Sequence, residues 1–354
     1  MSIIQQKPDV LFLLAKHRKS IMGFSAIYIL IFHKYECLFP QGNMFFLIEY
    51  SIKELGFVGV DIFLFLSGIG LTYSISKTTL GVFYFKRIKR IIIPFVLNGI
   101  ARGIFDHLSV LDILCNISGI NFWIKDVNSL LWFVPAILTL YFVFPFYYKA
   151  FMKAKNKIVF TGIIVGIWFL LSMILSGFLE SFGRDDIYLF INRIPVFVIG
   201  VFFGWLAHNK SLRFEISDWF MVLLINVIGL YLGFQVIYYN WFLFVPISIT
   251  FLPSILIAIS LTLILSWLFE MLCLAKIGTF ITRFFSIIGT VSLEFYCVQG
   301  AVDFVVKSYF SNLPNALVNI LVFVTVFIAA YFIYFIELGL WKIIDLPLKK
   351  IIRN

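Results

Sequence analysis

A histidine, two carboxylates and a cluster of cations are the residues of this chain whose types and spacing can do chemistry. His33 lies inside the apolar run IMGFSAIYILIFHKYECLF, where an ionisable side chain is costly and so a functional suspect. Glu36 follows three residues later, a spacing that on a helix puts a carboxylate on the imidazole's own face and can fix its tautomer. A histidine held in this way acts as a general base near neutral pH, taking a proton from a hydroxyl as its oxygen attacks. Set against this is the plainer possibility that His33 and Lys34 only approach the outer interface and snorkel there. Asp61 lies near the outer end of a second apolar run, GFVGVDIFLFLSGIGLTYS, at a similar depth. Then YFKRIKRIIIP packs Lys86, Arg87, Lys89 and Arg90 into one short stretch. Such cations either keep a segment on the cytoplasmic side or hold an anion, because Arg87 and Arg90 share a helical face and can grip one phosphate. Spacing alone leaves both open.

The elements that must position these residues are membrane helices. Of 354 residues, 62% are hydrophobic and 13% charged, with a mean hydropathy of +1.03; a soluble domain carries about 25% charge. Lipid also accepts aromatic bulk of the kind that 44 Phe and 8 Trp supply. At roughly 20 residues per crossing, ten spans are expected, near 21–39, 55–76, 91–107, 130–148, 158–177, 187–207, 218–238, 243–268, 285–305 and 316–337. The eighth is interrupted by Pro246 and Pro253, which can kink it, and Pro94 suits the first turn of the third. With the N-terminus inside, 21 of the 28 Lys and Arg residues fall on inner segments, the bias expected of cytoplasmic loops. The expected fold class is therefore all-α, a polytopic integral membrane protein of about ten helices with both termini cytoplasmic. It forms a single membrane-embedded domain over 1–354, with short basic cytoplasmic ends at 1–20 and 338–354. The first apolar run is an anchor, not a cleaved signal.

The net charge of +10 is divided among short clusters between apolar runs, which argues for the lipid bilayer as partner and against nucleic acid. Cys37, Cys115, Cys273 and Cys297 show no CxxC or metal spacing and are expected to be unpaired, so no metal site is expected. Gly56, Gly59, Gly68 and Gly70 are small enough to let helices approach closely. The longest connection, 108–129, is half apolar and expected to lie along the membrane surface. His17, His107 and His208 are expected at interfaces. Any active site must lie within the membrane or at its face. From the inner end of its span, the twelve residues to His33 rise about 18 Å, into the outer half.

The order of these parts resembles the acyltransferase family 3 of integral-membrane acyltransferases, ten-helix proteins that O-acetylate surface polysaccharides and related glycans. The resemblance rests on Gly23 ten residues before His33, GFVGVDIFLFLSG over Gly56–Gly68 with Ser67, and Arg87-x-x-Arg90 followed by Pro94. It continues in LWFVPAILTLYFVFP with Trp132 and Tyr141, RIPVFVIGVFFG opening on Arg193, and IGTVSLEFYCVQ. It implies that His33 is the catalytic histidine and that Arg87 and Arg90 hold the phosphates of an acyl-CoA, acetyl-CoA above all. Lys86 and Lys89 are further candidate donor-binding cations, to which the resemblance itself gives no role. Acetyl-CoA would be a co-substrate, with no permanently bound cofactor, and a glycan or lipid-linked sugar the acceptor, at the cell membrane. Two positions depart from the family pattern: Met22 stands where the family often has Arg, and Gln299 ends a motif that elsewhere ends in His.

Other readings of the same composition are a glycan or lipid-linked-sugar transporter, a non-catalytic acyl-CoA sensor, and a membrane acyltransferase with a late-span histidine. The last fits poorly, since spans seven to ten contain no histidine. Internal repeats and paired broken helices, frequent in transporters, are not evident in the sequence.

Overall fold

The protein is described by a computed structural model that covers residues 9–124, 131–181, 185–239, 251–275 and 278–352. Among these residues the regular structure is helical, apart from one isolated antiparallel bridge between Asp9 and Arg213. We number the helices α1 (Val10–Lys34), α2 (Met44–Glu54), α3 (Val58–Ile75), α4 (Leu80–Phe105), α5 (Val110–Ile117), α6 (Ile120–Ile124), α7 (Phe133–Lys153) and α8 (Lys157–Ser181). There follow α9 (Asp185–Ile191), α10 (Ile194–Asn209), α11 (Ile216–Tyr238), α12 (Leu252–Leu274), α13 (Gly278–Thr290), α14 (Ser292–Phe310) and α15 (Asn315–Ile352).

Seven stretches of helix are long and apolar enough to cross a membrane, and eight if the bent pair α13–α14 is one crossing. Outside that number stand α1 and α4, which carry too many charged residues. At 25 and 26 residues they extend about 38 and 39 Å, more than the hydrocarbon core of about 30 Å, so part of each projects beyond it. Together with these two, the helices occupy the ten positions expected from the sequence. α8 is the most peripheral and turns Leu170 and Ile174 outward.

Several boundaries differ from expectation. α1 starts at Val10, because Asp9 caps it by accepting from the backbone N–H of Leu11 and Phe12. Val10, Leu11, Leu13 and Leu14 are buried, so most of the basic N-terminal segment belongs to the packed helix. α1 ends at Lys34, where Glu49 of α2 accepts from the Tyr35 hydroxyl and from the backbone of Leu38 and Phe39. The cation cluster is not a connecting loop: it occupies the second and third turns of α4, and Pro94 lies inside that helix. The 285–305 run is not one helix but breaks at Val291, where α13 and α14 meet at 75°. Pro253 sits in the first turn of α12, where a proline costs nothing, while Pro246 falls outside the described residues. At the C-terminus α15 continues to Ile352 through most of the segment expected as a tail.

Packing is closest where glycines meet. A methyl group on Gly23 would stand 1.8 Å from the carbonyl oxygen of Phe285, and one on Gly289 1.8 Å from that of Lys19. Gly68 and Gly200 bring α3 and α10 together in the same way, with carbonyls of Phe197 and Phe65 at 2.5 and 2.3 Å. In both cases backbone meets backbone, as small residues permit in lipid. Helix α1 contributes to both hydrophobic cores, one shared with α4, α7, α14 and α15 and the other with α10 and α12. The four cysteines are free.

Candidate active site

Three arginines converge on one cavity. About 490 Å³ in volume, it lies between α1, α3, α4, α7, the α13–α14 break and α15. Arg18, Lys19, Arg87 and Arg90 line it, with Ser67, Tyr141, Tyr296 and Glu337. Arg87 and Arg90 share the inward face of α4, as their spacing requires, while Lys86 is exposed. Lys89 lies over the Trp341 ring at 4.7 Å. The two arginines are held differently. Arg90 is clamped by carboxylates: it bonds both oxygens of Glu294, reaches Glu337 at 3.0 Å, and donates to the carbonyl of Thr290 at 3.2 Å. That carbonyl is at the helix break, so Arg90 also satisfies backbone that the break exposes. Arg87 pairs with no carboxylate among the described residues; its guanidinium lies 5.5 and 5.8 Å from the centroids of Phe83 and Tyr141. The Nε atoms of Arg18 and Arg87 are both buried without a hydrogen-bond partner among the described residues. Arg18 rests against Gly70, whose missing side chain leaves it room.

Arg18, Glu294 and Glu337 were not singled out by sequence. A signal existed for each. Arg18 is one helical turn below Met22, where the resembling family often has a cation, and the two carboxylates fall within or at the end of expected spans, where any ionisable group is suspect.

From the cations the cavity runs along α7 from Tyr141 to Phe133, a rise of about 12 Å. Its far end is aromatic: Phe133 lies tilted against Phe63 and meets Tyr296 edge to face, with centroids 6.2 and 5.5 Å apart. Trp132, the residue before Phe133, faces the other way. It lines a second cavity of about 280 Å³ with Leu131, Pro135 and residues of α4–α6. The first turn of α7 is thus a wall between two chambers.

Beside this wall is a buried ion pair. Asp61 accepts from Arg193 at 2.5 Å, and the guanidinium is enclosed by the rings of Phe57, Trp132 and Phe251 at 5.6–5.7 Å. Asp61, named above as a chemical candidate, is paired with Arg193 through Oδ2, while its Oδ1 is buried without a hydrogen-bond partner among the described residues. Arg193 also lies within electrostatic reach of His33. His33 packs on Phe32 at 4.7 Å and has no hydrogen bond to a described residue. Glu36 does not reach it by the expected route: the helix ends at Lys34, the i+3 register lapses, and the Glu36 carboxylate pairs with Lys307. Lys34 in turn pairs with Asp303 at 3.2 Å. The structure thus joins Arg87, Arg90, Ser67 and Tyr141 in one cavity, and Asp61, Arg193 and Trp132 in a cluster nearer His33. Gly68 is a packing contact.

Among the other histidines, His17 is buried within the protein, 2.7 Å from Glu270. His208 stacks on Tyr73. Gln299 is fully buried, and neither amide atom has a partner among the described residues. No group of acidic, cysteine and histidine side chains suited to a metal ion occurs among the described residues.

Residues 22–336, most of the chain, match the family model described as an acyltransferase domain, family 3. No curated protein and no solved structure matches the chain.

Proposed function

The chain belongs to the acyltransferase family 3, and from that premise we propose that it O-acetylates a bacterial cell-surface glycan at the cell membrane, using cytoplasmic acetyl-CoA. The observation that carries this is the make-up of the arginine-lined chamber: at one end arginines with no carboxylate partner among the described residues, and an apolar aromatic passage leading away from them. Arg18, Lys19 and Arg87 take the donor's phosphates, each guanidinium presenting a planar set of donors. Arg90 is already neutralised by two carboxylates, so its part is to hold the chamber's shape. The pantetheine arm follows Ser67 and Ile137 toward Phe133, carrying the thioester toward the outer half of the membrane, where His33 stands.

His33 takes the proton of a sugar hydroxyl, the oxygen attacks the thioester carbonyl, and the C–S bond breaks. The proton passes to the departing thiolate, leaving an acetyl ester on the sugar and free CoA. Acetyl-CoA is a co-substrate in this scheme, and a glycan or lipid-linked sugar is the partner on the far side.

Replacing His33 with Ala tests it in full-length protein reconstituted in proteoliposomes. The variant should bind acetyl-CoA like the wild type, since His33 does not line the donor chamber, and transfer no labelled acetyl to the cell's own polysaccharide after mild alkaline de-esterification. Transfer at the wild-type rate would remove His33 from the chemistry.

A further inference from the structure

Two cavities stand at the Lys34 end of the bundle, the opposite end from Arg18, and they share a rim. The smaller, about 280 Å³, is lined by Asn116, Asn121, Asp186, Trp132 and Phe122. The larger, about 540 Å³, is lined by Lys34, Asp303, Lys307 and Ser308. Arg102 and Asp106, paired with each other at 3.2 Å, border both. Between Arg90 and Arg102 α4 rises about 18 Å, so this double cavity is a membrane's half-thickness or more from the donor's cations.

The smaller cavity has the chemistry of a sugar site. Amides, a carboxylate and an indole share its lining: Asn121, Asp186 and Trp132 are buried, and Asn121 donates to Asn116 at 2.6 Å, fixing the orientation of both amides. Oriented amides and carboxylates recognise vicinal hydroxyls, while an indole packs against the apolar face of a pyranose ring. The volume falls just under the roughly 300–1,000 Å³ of ordinary ligand pockets, the scale of a single monosaccharide. The neighbouring cavity, wider and bordered by the same ion pair, gives the next unit of a chain somewhere to lie. Trp132 ties the site to the chemistry, because its other contact is Arg193, within electrostatic reach of His33.

Resting on the proposed acceptor chemistry, we infer that the cavity of Asn116, Asn121, Asp186 and Trp132 binds one sugar ring of the acceptor glycan, with the adjoining Lys34–Asp303–Lys307 cavity taking its neighbour in the chain. The acceptor is then a polymer or oligosaccharide and not a free monosaccharide.

Two variants test this in full-length protein in proteoliposomes, with the cell's own de-esterified polysaccharide as probe. Asn121→Ala removes an oriented amide. Leu108→Trp removes no polar group but fills the mouth, where Leu108 is 37% exposed. Each should raise KM for the polysaccharide about tenfold, the equivalent of a lost hydrogen bond of about 1.4 kcal/mol, with acetyl-CoA binding unchanged. Unchanged KM in both variants overturns the site. Loss of acetyl-CoA binding in both shows that the cavity only supports the fold, and equally overturns it. If the wild type binds acetyl-CoA but labels no polysaccharide, the fault lies with the acceptor class proposed above.

Discussion

Arg87 and Arg90 are three residues apart on one helix face and line one chamber, yet their surroundings give them different work. Glu294 has no exposed surface, and its partner Arg90 keeps 39% of its side chain open to the chamber. Removing one partner of a buried pair costs about 3–5 kcal/mol, and the exposure of Arg90 reduces that to about 2–4 kcal/mol. Arg90→Gln should therefore lower the thermal unfolding temperature as well as activity. Arg87→Gln should leave unfolding unchanged and weaken acetyl-CoA binding by about tenfold to a hundredfold, the loss of one charge-assisted contact of about 1.5–3 kcal/mol. Equal loss of stability in both variants would show that the two arginines are equivalent. The sequence made this pair visible as a pair but not as unequal. What separates them are carboxylates 204 and 247 positions away, and nothing in local spacing carries that information. The same limit applies to Glu36, where regular helix geometry predicted a contact with His33 and a helix end two residues earlier redirected the carboxylate to Lys307.

Among the elements, the break between α13 and α14 has the largest effect on the chamber. It places Gly289, Thr290, Ser292 and Leu293 along the lining, where an unbroken helix would present one stripe. Irregular backbone at membrane depth is tolerated where it borders a cavity. The sequence conceals this, since IGTVSLEFYCVQ has no proline and continuous hydropathy. The break depends instead on α13 lying directly against α1, with Gly23 and Gly289 in reciprocal backbone contact. Gly289→Ala must push the two helices apart, because the obstructing atom is a main-chain oxygen that cannot rotate away. We expect a cost of about 1–3 kcal/mol, as for overpacking. Since Lys19 sits on that contact and Arg18 beside it, acetyl-CoA binding should fall with stability, measured by thermal unfolding and equilibrium binding on the same preparation. Wild-type binding by Gly289→Ala would show that the chamber tolerates the shift. By contrast, the ten helical positions were legible, because a run of about 20 apolar residues is itself the physical requirement for crossing lipid.

For the molecule as a whole, the charge bias and the chambers make one testable statement about sidedness. Arg18, Arg87 and Arg90 share one end, while Lys34, Arg102 and Lys307 share the other. In a background without native cysteines, a single cysteine at position 80 should resist an impermeant reagent in intact cells, and one within 306–315 should react. Labelling at 80 would reverse the orientation and with it the source of the donor. The wall at the start of α7 has a consequence for the cell's energy supply. A catalyst open from both sides would short-circuit the proton-motive force unless something insulated the two compartments. Here the insulation is as thin as neighbouring residues, Phe133 facing one chamber and Trp132 the other, with Asp61 and Arg193 neutralising each other beside them. Phe133→Ala would remove the half of that layer that faces the arginine-lined chamber. Vesicles containing this variant should dissipate an imposed pH gradient faster than wild-type vesicles, read by a trapped pH-sensitive dye, whereas a gradient held equally well would place the insulation elsewhere. On this view a single layer of aromatic side chains keeps the two chambers of a membrane acyltransferase apart.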